Sequence, residues 1–539
     1  MIIPGADVER ELFYMDLVEK CMTSIEIRKP NYEMLRHYYL FGNGLQQQPA
    51  LFNKIEPHLD QLTSFLYSAE STRFSISLGA SVDKAEHKKS PVLTSALNDE
   101  WLNSNADQVF SLALSWSLVY NSTFVKLIYN RGINPYMIEP GTIGVLREDV
   151  PYLSRQEAIC QKYYITKSEL YSRLYSHPKR KHIVDRLTAS PRSDQKQGGG
   201  DGVARIIMSA TNPTIYGNVN MDLDQGNYYE PKVAEDVIQM HELWVWNDET
   251  KDYQAVTFAG NDIVIYDRPG ESLFLKGEQP FIQLCPNPMP NYFWGQSECQ
   301  KLILLQAARN NRWDEITDIL AKQVKPPKTF SGFSGITDEK FHALNRAGSL
   351  IATDMPGAKV DSLAPEMPGD LFEVLHEIDS MFGEVSGINN VLSGKGEQGV
   401  RSQGHASQLA RLGSSRAKKR ALIIEDALEK TATLYLKLMQ QYDKTHFRDS
   451  DDVPFIPEQF TRDYVVKVDA HSNSPIFTED TKELAFSLFK AQVIDKESLL
   501  DMVEPPQKQL LKDRLKKTEE KQKMQPPPGA KPEPKPEKG

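Results

Sequence analysis

The chain has 539 residues, of which 40% are hydrophobic, and its formal net charge is −10 at pH 7. A chain of this length is expected to form several domains, and this hydrophobic content is sufficient for real cores. The negative charge argues against tight, static binding of DNA, which requires many Lys and Arg contacts to phosphates. By itself, this charge is explained by solubility alone.

The sequence has no pattern typical of membrane insertion, secretion or structural zinc. We find no run of about eighteen apolar residues and no secretory signal in residues 1–10, so we expect no membrane span. Its four cysteines, Cys21, Cys160, Cys285 and Cys299, are widely spaced and form no Cys-x-x-Cys pair. We therefore predict reduced, partly buried thiols.

The N-terminal region, residues 1–70, has the apolar periodicity of helices. We predict separate helices at 8–20 and 32–39, followed by a helix at 50–68 that Pro57 kinks or splits. This part of the chain is therefore expected to be α-helical throughout.

Helices and strands are mixed in the next part of the chain. Residues 92–129 are predicted to be helical until the β-branched and aromatic run Thr123–Tyr129, which favours a strand. Short strands are expected near 136–140 and 144–146, and a short helix at 166–175. This mixture indicates an α+β domain.

A Gly-rich segment at 191–203 is predicted to be a surface loop. Residues 233–267 alternate apolar and polar side chains and predict an antiparallel meander. Asp222 and Asp224 lie in a Gly/Asn-rich turn; they are better explained as capping that turn than as metal ligands, because no further ligands surround them. We find no His-x-x-x-His pair and no Gly-x-Ser-x-Gly motif that would indicate catalysis.

The segment from Gly295 to Tyr442 has an unusual order of elements. A helix at about 297–323 is ended by Pro326 and Pro327, and a second helix is predicted at about 370–385. The first helix has an apolar stripe formed by Leu302, Leu305, Ala308, Trp313, Ile316 and Leu320. The second has one formed by Leu371, Leu375, Ile378, Phe382 and Val385.

The insert between these helices is predicted to contain strands at 329–335 and 348–353 around a small helix at 338–345. Phe293 and Trp294, just before the first helix, are predicted to be core or subunit-interface anchors. The order of helix, insert and returning helix is typical of a framing structure and not of an active site.

Residues 388–405 contain four glycines and few apolar side chains, which predicts a flexible loop. Lys395, Arg401 and His405 are its candidate contacts to DNA phosphates, or else solvated loop residues. A nucleotide-binding role is disfavoured because the run Gly394–Gly399 lacks the Gly-Lys-Ser/Thr ending.

A long helix is predicted at 407–442, with the stripe Ala417, Ala421, Ile424, Leu428, Tyr435, Leu438 and Tyr442. A basic cluster lies near its start, formed by Arg416, Lys418, Lys419 and Arg420. These cations are candidates for contact with DNA or with a neighbouring subunit. The solvated face of a long helix, or a contact with a neighbouring subunit, explains them better than contact with DNA does.

The C-terminal region is predicted to contain a strand at 464–468 and helices at 481–492, 496–502 and 506–521. Residues 526–539 are rich in Pro and Lys and are expected to be disordered.

This order of elements resembles that of the portal proteins of tailed bacteriophages, above all of short-tailed phages. The resemblance is carried by Trp294-Gly-Gln-Ser, the helix, the Pro326-Pro-Lys insert, the second helix, Gly387-Ile-Asn-Asn-Val-Leu-Ser-Gly and the long helix. It implies an α+β, predominantly helical chain with wing, stem, clip and crown, assembled as a ring of about twelve subunits at one capsid vertex.

The resemblance also implies a division of the chain, stated here as an expectation. The regions are a wing at 1–296, stem helices at 297–325 and 369–387, a clip at 326–368, a tunnel loop at 388–406, a long wing helix with a closing strand at 407–477, a crown at 478–524 and a disordered tail at 525–539.

A structural DNA conduit without catalytic activity, cofactor or metal is the implied function. Its expected partners are double-stranded DNA, the terminase large subunit, a head–tail adaptor, and the major capsid and scaffold proteins, in the virion and not at a membrane. Two alternatives remain: a cytoplasmic nucleic-acid-processing enzyme with an unrecognised site, and another tail or adaptor protein of the virion.

Overall fold

A computed structural model of the chain describes residues 1–44, 50, 52–67, 72–78, 89–175, 178, 180–188, 203–204, 237–260, 263–267, 274–324, 326, 328–331, 357, 359–362, 364–386, 415–442, 447–448, 454–455, 464–468, 485–503 and 514. The described residues mix helices and strands, as the α+β expectation requires.

The helices are α1 (Asp7–Phe41), α2 (Ile55–Leu66), α3 (Ser90–Asn103), α4 (Ala106–Tyr120), α5 (Lys167–Arg173), α6 (Arg180–Thr188), α7 (Glu298–Val324), α8 (Leu371–Ser386), α9 (Ser415–Tyr442) and α10 (Lys496–Val503). The strands are β1 (Phe74–Leu78), β2 (Thr123–Tyr129), β3 (Ile133–Ile138), β4 (Ile143–Val145), β5 (Ala158–Thr166), β6 (Val203–Ala204), β7 (Val237–Asn247), β8 (Asp252–Ala259), β9 (Ile263–Asp267), β10 (Phe281–Leu284), β11 (Lys328–Ser331), β12 (Lys359–Ser362), β13 (Phe447–Arg448), β14 (Pro454–Phe455) and β15 (Tyr464–Val468).

The chain forms two compact units. The first comprises Met1–Leu62, Ala113–Lys126 and Met137–Arg416, and the second comprises Thr63–Leu112, Leu127–Tyr136 and Ala417–Gly539. The first unit contains α1, α7, α8 and the largest sheet.

That sheet has six strands in the order β4-β5-β7-β8-β9, with β6 also paired to β7. Its described strands pair antiparallel throughout, and the register places Cys160 opposite Leu243 and Ile165 opposite Ile238. The predicted meander at 233–267 is confirmed as β7, β8 and β9. Strand β5, which lies between β4 and β7, was not predicted.

Helix α1 packs on one face of this sheet. Its buried side chains Tyr14, Leu17 and Cys21 form a core cluster with Cys160 and Leu243. Strand β4 approaches the helix closely, because a Cβ on Gly144 would clash with the carbonyl oxygen of Cys21. The burial of Cys21 raises the pKa of its thiol to about 12, so it is a core side chain and not a reactive thiolate.

The prediction of two separate N-terminal helices is wrong, because α1 is continuous over 35 residues. Pro30 lies inside it on the exposed side, so the hydrogen bond that proline cannot make is lost on the solvent side of the helix. Helix α2 begins at Ile55, with Pro57 in its first turn, where backbone N–H groups need no partner within the helix.

The second unit is organised around Trp101 of α3. The indole ring lies 4.7 Å from the ring of Phe74, 5.4 Å from that of Phe110 and 5.3 Å from that of Tyr435 in α9. Its N–H donates to the buried carboxylate of Asp107 over 2.8 Å. Strand β1 pairs antiparallel with β15, and the predicted stripe residues Ala421, Ile424, Leu428, Tyr435 and Leu438 are buried.

Candidate functional site

Helices α7 and α8, joined through the ribbon β11–β12, form the feature that we call the helix pair. The two strands pair antiparallel, from Lys328 opposite Ser362 to Ser331 opposite Lys359. Near the ribbon, Gln323 Nε2 donates to the carbonyl oxygen of Pro365 over 3.0 Å. Farther away, Arg309 of α7 contacts Asp379 of α8. The sequence separation between contacting residues therefore grows with distance from the ribbon, which shows that the two helices run antiparallel.

Both long helices of the pair were predicted from sequence, and their observed limits match within two residues. In the insert, the predicted first strand is β11, whereas the strand paired with it is β12, Lys359–Ser362. The predicted second strand and small helix, at 348–353 and 338–345, lie outside the described residues.

The start of α7 is fixed by Trp294-Gly-Gln-Ser. Gly295 has a φ of +71°, and a Cβ there would clash with Cys285 Sγ and lie 2.6 Å from the carbonyl oxygen of Asn287. Only glycine adopts this conformation without strain. Ser297 then caps the helix: its Oγ accepts from the backbone N–H of Gln300 over 3.0 Å and donates to the carbonyl oxygen of Val119 over 2.6 Å.

Trp294 anchors this start in the core of the first unit. It is 1% exposed, and its indole N–H donates to Glu148 Oε1 over 2.8 Å. The guanidinium of Arg28 lies 3.5 Å above its ring and donates to the same carboxylate. Phe293 is also 1% exposed. Phe293 and Trp294 were predicted to be core or subunit-interface anchors, and the first of these two roles is confirmed.

Burial dominates the electrostatics around this anchor. It raises the pKa of Tyr32 to about 12, despite the opposing effect of the Arg28 charge and hydrogen bond. It also raises the pKa of the Cys299 thiol well above its usual value. All four cysteines are free, and only Cys285 is partly exposed, in agreement with the predicted reduced thiols.

One face of α7 is buried but polar. Gln306 is fully buried: its Nε2 donates to the Phe52 carbonyl over 3.0 Å, and its Oε1 accepts from the Lys54 backbone N–H over 3.0 Å. Asn310 Nδ2 donates to the carbonyl of Gly42, the residue that caps α1, over 2.7 Å. These bonds fasten the middle of α7 to the connection between α1 and α2.

Asp379 ties α8 to the same place. Its Oδ1 accepts from Arg309 Nε over 2.7 Å, and its Oδ2 lies 3.2 Å from Lys54 Nζ. Arg309 also donates to the Phe52 carbonyl over 3.2 Å and is only 6% exposed. One buried guanidinium and one shared carboxylate therefore hold both helices against the α1–α2 connection.

Beyond this polar cluster the helix pair is exposed. Residues 317–324 of α7 are exposed except for Ile319, and the predicted stripe residue Leu320 is 44% exposed. Apolar side chains are exposed along the pair: Leu304, Leu320, Val324, Phe372, Val374 and Met381. Helix α8 also exposes the acidic stripe Glu373, Glu377 and Glu384. The described residues leave these surfaces uncovered.

The predicted DNA contacts fall mostly outside the described part of the chain. Lys395, Arg401 and His405 of the loop at 388–405 are not described, nor is the side chain of Arg416. In α9, Arg420 is 5% exposed, Lys418 is half-buried and Lys419 is exposed. Among the described residues of this basic cluster, Lys419 is therefore the exposed cation.

Sequence analysis missed the residues that support the helix pair. Arg28, Glu148 and Lys54 are distant in sequence from α7 and α8 and belong to no motif. Gln306 and Arg309 could have been identified from sequence, because they are polar residues three positions apart on the buried side of an amphipathic helix. Their role depends on partners that only the fold brings close.

Among the described residues, no group of three or more His, Cys, Asp and Glu side chains is arranged to hold a metal ion. None of the helices in the described part is long and apolar enough to cross a membrane.

Comparison with known proteins gives a family. A family model described as phage SU10 portal protein matches residues 98–538. None of the curated proteins matches the chain. A solved chain from the virion of a native gene transfer agent particle is similar with 8% identity and a TM-score of 0.42, over 91% of this chain and 99% of that one. The family match covers most of the chain, which therefore belongs to the phage SU10 portal protein family and is a structural portal protein of the phage virion.

Proposed function

We propose that the chain assembles into a ring at one capsid vertex and that the helix pair lines the central channel through which DNA is packaged and ejected. The proposed division follows the resemblance: wing at 1–296, stem helices at 297–325 and 369–387, clip at 326–368, tunnel loop at 388–406, long wing helix and closing strand at 407–477, crown at 478–524 and tail at 525–539.

The observation that carries this proposal is the construction of the helix pair. Two antiparallel helices are fastened midway by Arg309 and Asp379, and both continue beyond that point with exposed surfaces. Exposed apolar side chains such as Val324 and Phe372 are explained if a neighbouring subunit covers them. A palisade of such pairs has the form of a channel wall.

The acidic stripe of α8 supports a wall that does not bind DNA tightly. Glu373, Glu377 and Glu384 repeat along one exposed side of the helix. Carboxylates facing the phosphate backbone repel it and release no counterions, so DNA passes without being held. We propose that this stripe faces the channel and that Lys395, Arg401 and His405 provide the few favourable contacts.

The partners follow from the same architecture. The clip contains β11 near its start and β12 near its end. It would dock the terminase large subunit during packaging and a head–tail adaptor afterwards. The major capsid and scaffold proteins would contact the wing during assembly in the host cytoplasm. The chain itself would act sterically and electrostatically, without catalysis and without a cofactor.

Ring formation is tested by the mass of the purified protein in light scattering and its symmetry in electron micrographs. We expect rings of about twelve copies with a central hole of the width of duplex DNA. A compact dimer or tetramer without a hole would refute the channel. Hydrolysis of nucleic acid by the purified chain, lost on changing one carboxylate, would support the enzymatic alternative instead.

A further inference from the structure

Helices lie on both faces of the six-stranded sheet, and this gives the first unit two opposite flanks. Side chains alternate along a strand, so Cys160 and Ile165 of β5 point to opposite faces. Cys160 packs in the cluster that contains α1, whereas Ile165 packs with Leu170 of α5 and Ile183 of α6. Helix α1 therefore covers one face of the sheet, and α5 with α6 covers the other.

The flank formed by α5 and α6 is basic and aromatic. Residues 167–188 contain six Lys and Arg and two Asp and Glu, a net charge of +4 in a chain whose total is −10. Tyr171 is 41% exposed and Tyr175 is 79% exposed. Arg180 lies 3.8 Å above the Tyr171 ring and donates to its hydroxyl over 2.8 Å, and Lys181 is exposed beside it. We call Tyr171, Tyr175, Arg180 and Lys181 the basic surface.

The opposite flank is acidic and apolar. Helix α1 buries Tyr14, Leu17 and Cys21 and exposes the stripe Val8, Leu12, Glu19 and Glu26 on its other side. Val8 is 70% exposed and Leu12 is 61% exposed. We call these four residues the α1 stripe. Exposed aliphatic side chains interspersed with carboxylates suit a partner that offers tyrosine rings and cations.

We propose that the basic surface of one copy of this chain binds the α1 stripe of the next copy. The proposal rests on the ring of the proposed function. A ring closed by rotation needs two different, complementary surfaces on opposite flanks of each subunit. These two surfaces are complementary in charge and in apolar content, and they lie on opposite faces of one sheet. Tyr and Arg are also the side chains that contribute most to binding at protein interfaces.

The first test reverses charge on the full-length chain. The variant Arg180→Glu/Lys181→Glu should raise the protein concentration needed for ring assembly roughly ten-fold or more, since like charges would then face each other. The matched control is Lys251→Glu/Lys276→Glu, which makes the same change at two exposed lysines elsewhere in the first unit. The control should assemble like the parent chain. Equal assembly of all three proteins, as rings, would overturn the inference while leaving the ring intact.

The second test joins the two surfaces. Reversal on the α1 stripe, Glu19→Lys/Glu26→Lys, should weaken assembly alone and restore it when combined with the Arg180 and Lys181 reversals. In a separate variant, Leu12→Cys/Tyr175→Cys, mild oxidation should give a ladder of covalently linked copies. The Leu12→Cys variant alone should give no ladder. If the combined reversals restore no assembly and intact rings of the double-cysteine variant give no ladder, the inference is overturned. The ladder keeps this test decisive even where the charge variants fold poorly.

A third experiment tests whether DNA, and not a second copy of the chain, binds the basic surface. If DNA phosphates bind there, the Arg180 and Lys181 reversals should lower the affinity of assembled rings for a short duplex and reduce its salt dependence, without changing assembly. That result would overturn the subunit contact. A parent chain that forms no rings under any condition would instead refute the proposed function, and this contact with it.

Discussion

Asp379 connects three segments of the first unit, since its carboxylate contacts Arg309 in α7 and Lys54 between α1 and α2. Arg309 is buried, so removal of Asp379 leaves a desolvated guanidinium that has lost its counter-charge and keeps its hydrogen bond to the Phe52 carbonyl.

We predict that Asp379→Ala lowers the free energy of unfolding of the first unit by about 2 kcal/mol, as expected for loss of a partly buried charged hydrogen bond. Chemical denaturation followed by tryptophan fluorescence measures this. The control Asp318→Ala removes an exposed i,i+4 pair with Lys322, for which we expect less than about 0.5 kcal/mol. Equal effects of the two substitutions would contradict a special role for Asp379.

His241 predicts a pH dependence. Burial lowers its pKa to about 4, with a smaller contribution in the same direction from Lys162, its pairing partner in β5; the hydrogen bond to the Gly260 carbonyl acts in the opposite direction. The unfolded chain binds the proton near pH 6.5, so stability is complete above that pH and is lost as the pH falls towards 4.

The expected loss from this histidine between pH 7 and pH 5 is about 2 kcal/mol in the free energy of unfolding. Denaturation at the two pH values measures it, in the parent chain and in His241→Gln. The variant should show a smaller difference between the two pH values. An unchanged difference would assign the pH dependence to other groups.

At the scale of elements, the start of α7 depends on Gly295. The substitution Gly295→Ala introduces a Cβ that clashes with Cys285 and approaches the Asn287 carbonyl, at a φ of +71°. We expect a loss of stability of about 2 kcal/mol or more, from steric overlap added to backbone strain.

Gly369 provides the matched control for this prediction. It precedes α8, and a Cβ there would meet nothing within 4 Å. Gly369→Ala should therefore leave the thermal midpoint nearly unchanged, whereas Gly295→Ala should lower it. If both variants melt like the parent chain, the close approach at Gly295 does not constrain the helix start.

The helix pair itself was predictable from sequence because its signals are local. Pro326 and Pro327 end the first helix, and the stripe from Leu371 to Val385 has helical periodicity. Strand β5 was not predicted, since its middle residues Gln161, Lys162, Tyr163 and Tyr164 lack a clear alternation. They are half-buried because other elements cover them. Hydrophobic periodicity predicts a buried strand only when one face of that strand is fully apolar.

At the scale of the whole molecule, the acidic stripe of α8 is predicted to keep DNA from binding the channel wall. Glu377→Lys should leave ring assembly unchanged and slow the passage of DNA, most strongly at low salt, because a ring multiplies each new cation around the bore. Packaging and ejection times of particles carrying the variant measure this.

The control is Glu249→Lys, at an exposed residue in the turn between β7 and β8. It makes the same charge change away from the helix pair and should leave both times unchanged. Equal times for Glu377→Lys and the parent chain at low salt would show that this side of α8 does not face the DNA.

By itself, the sequence determined the mixture of helices and strands, the helix pair, the absence of paired cysteines and the resemblance to portal proteins, because each follows from local periodicity, residue spacing, proline positions or the order of segments. The tertiary structure alone decided that α1 is one helix, that Arg28 and Glu148 hold Trp294, and that Arg309 and Asp379 join the helix pair. The bond between Trp294 and Glu148 alone joins residues 146 positions apart, and a buried polar side chain shows its purpose only when its partner is in place.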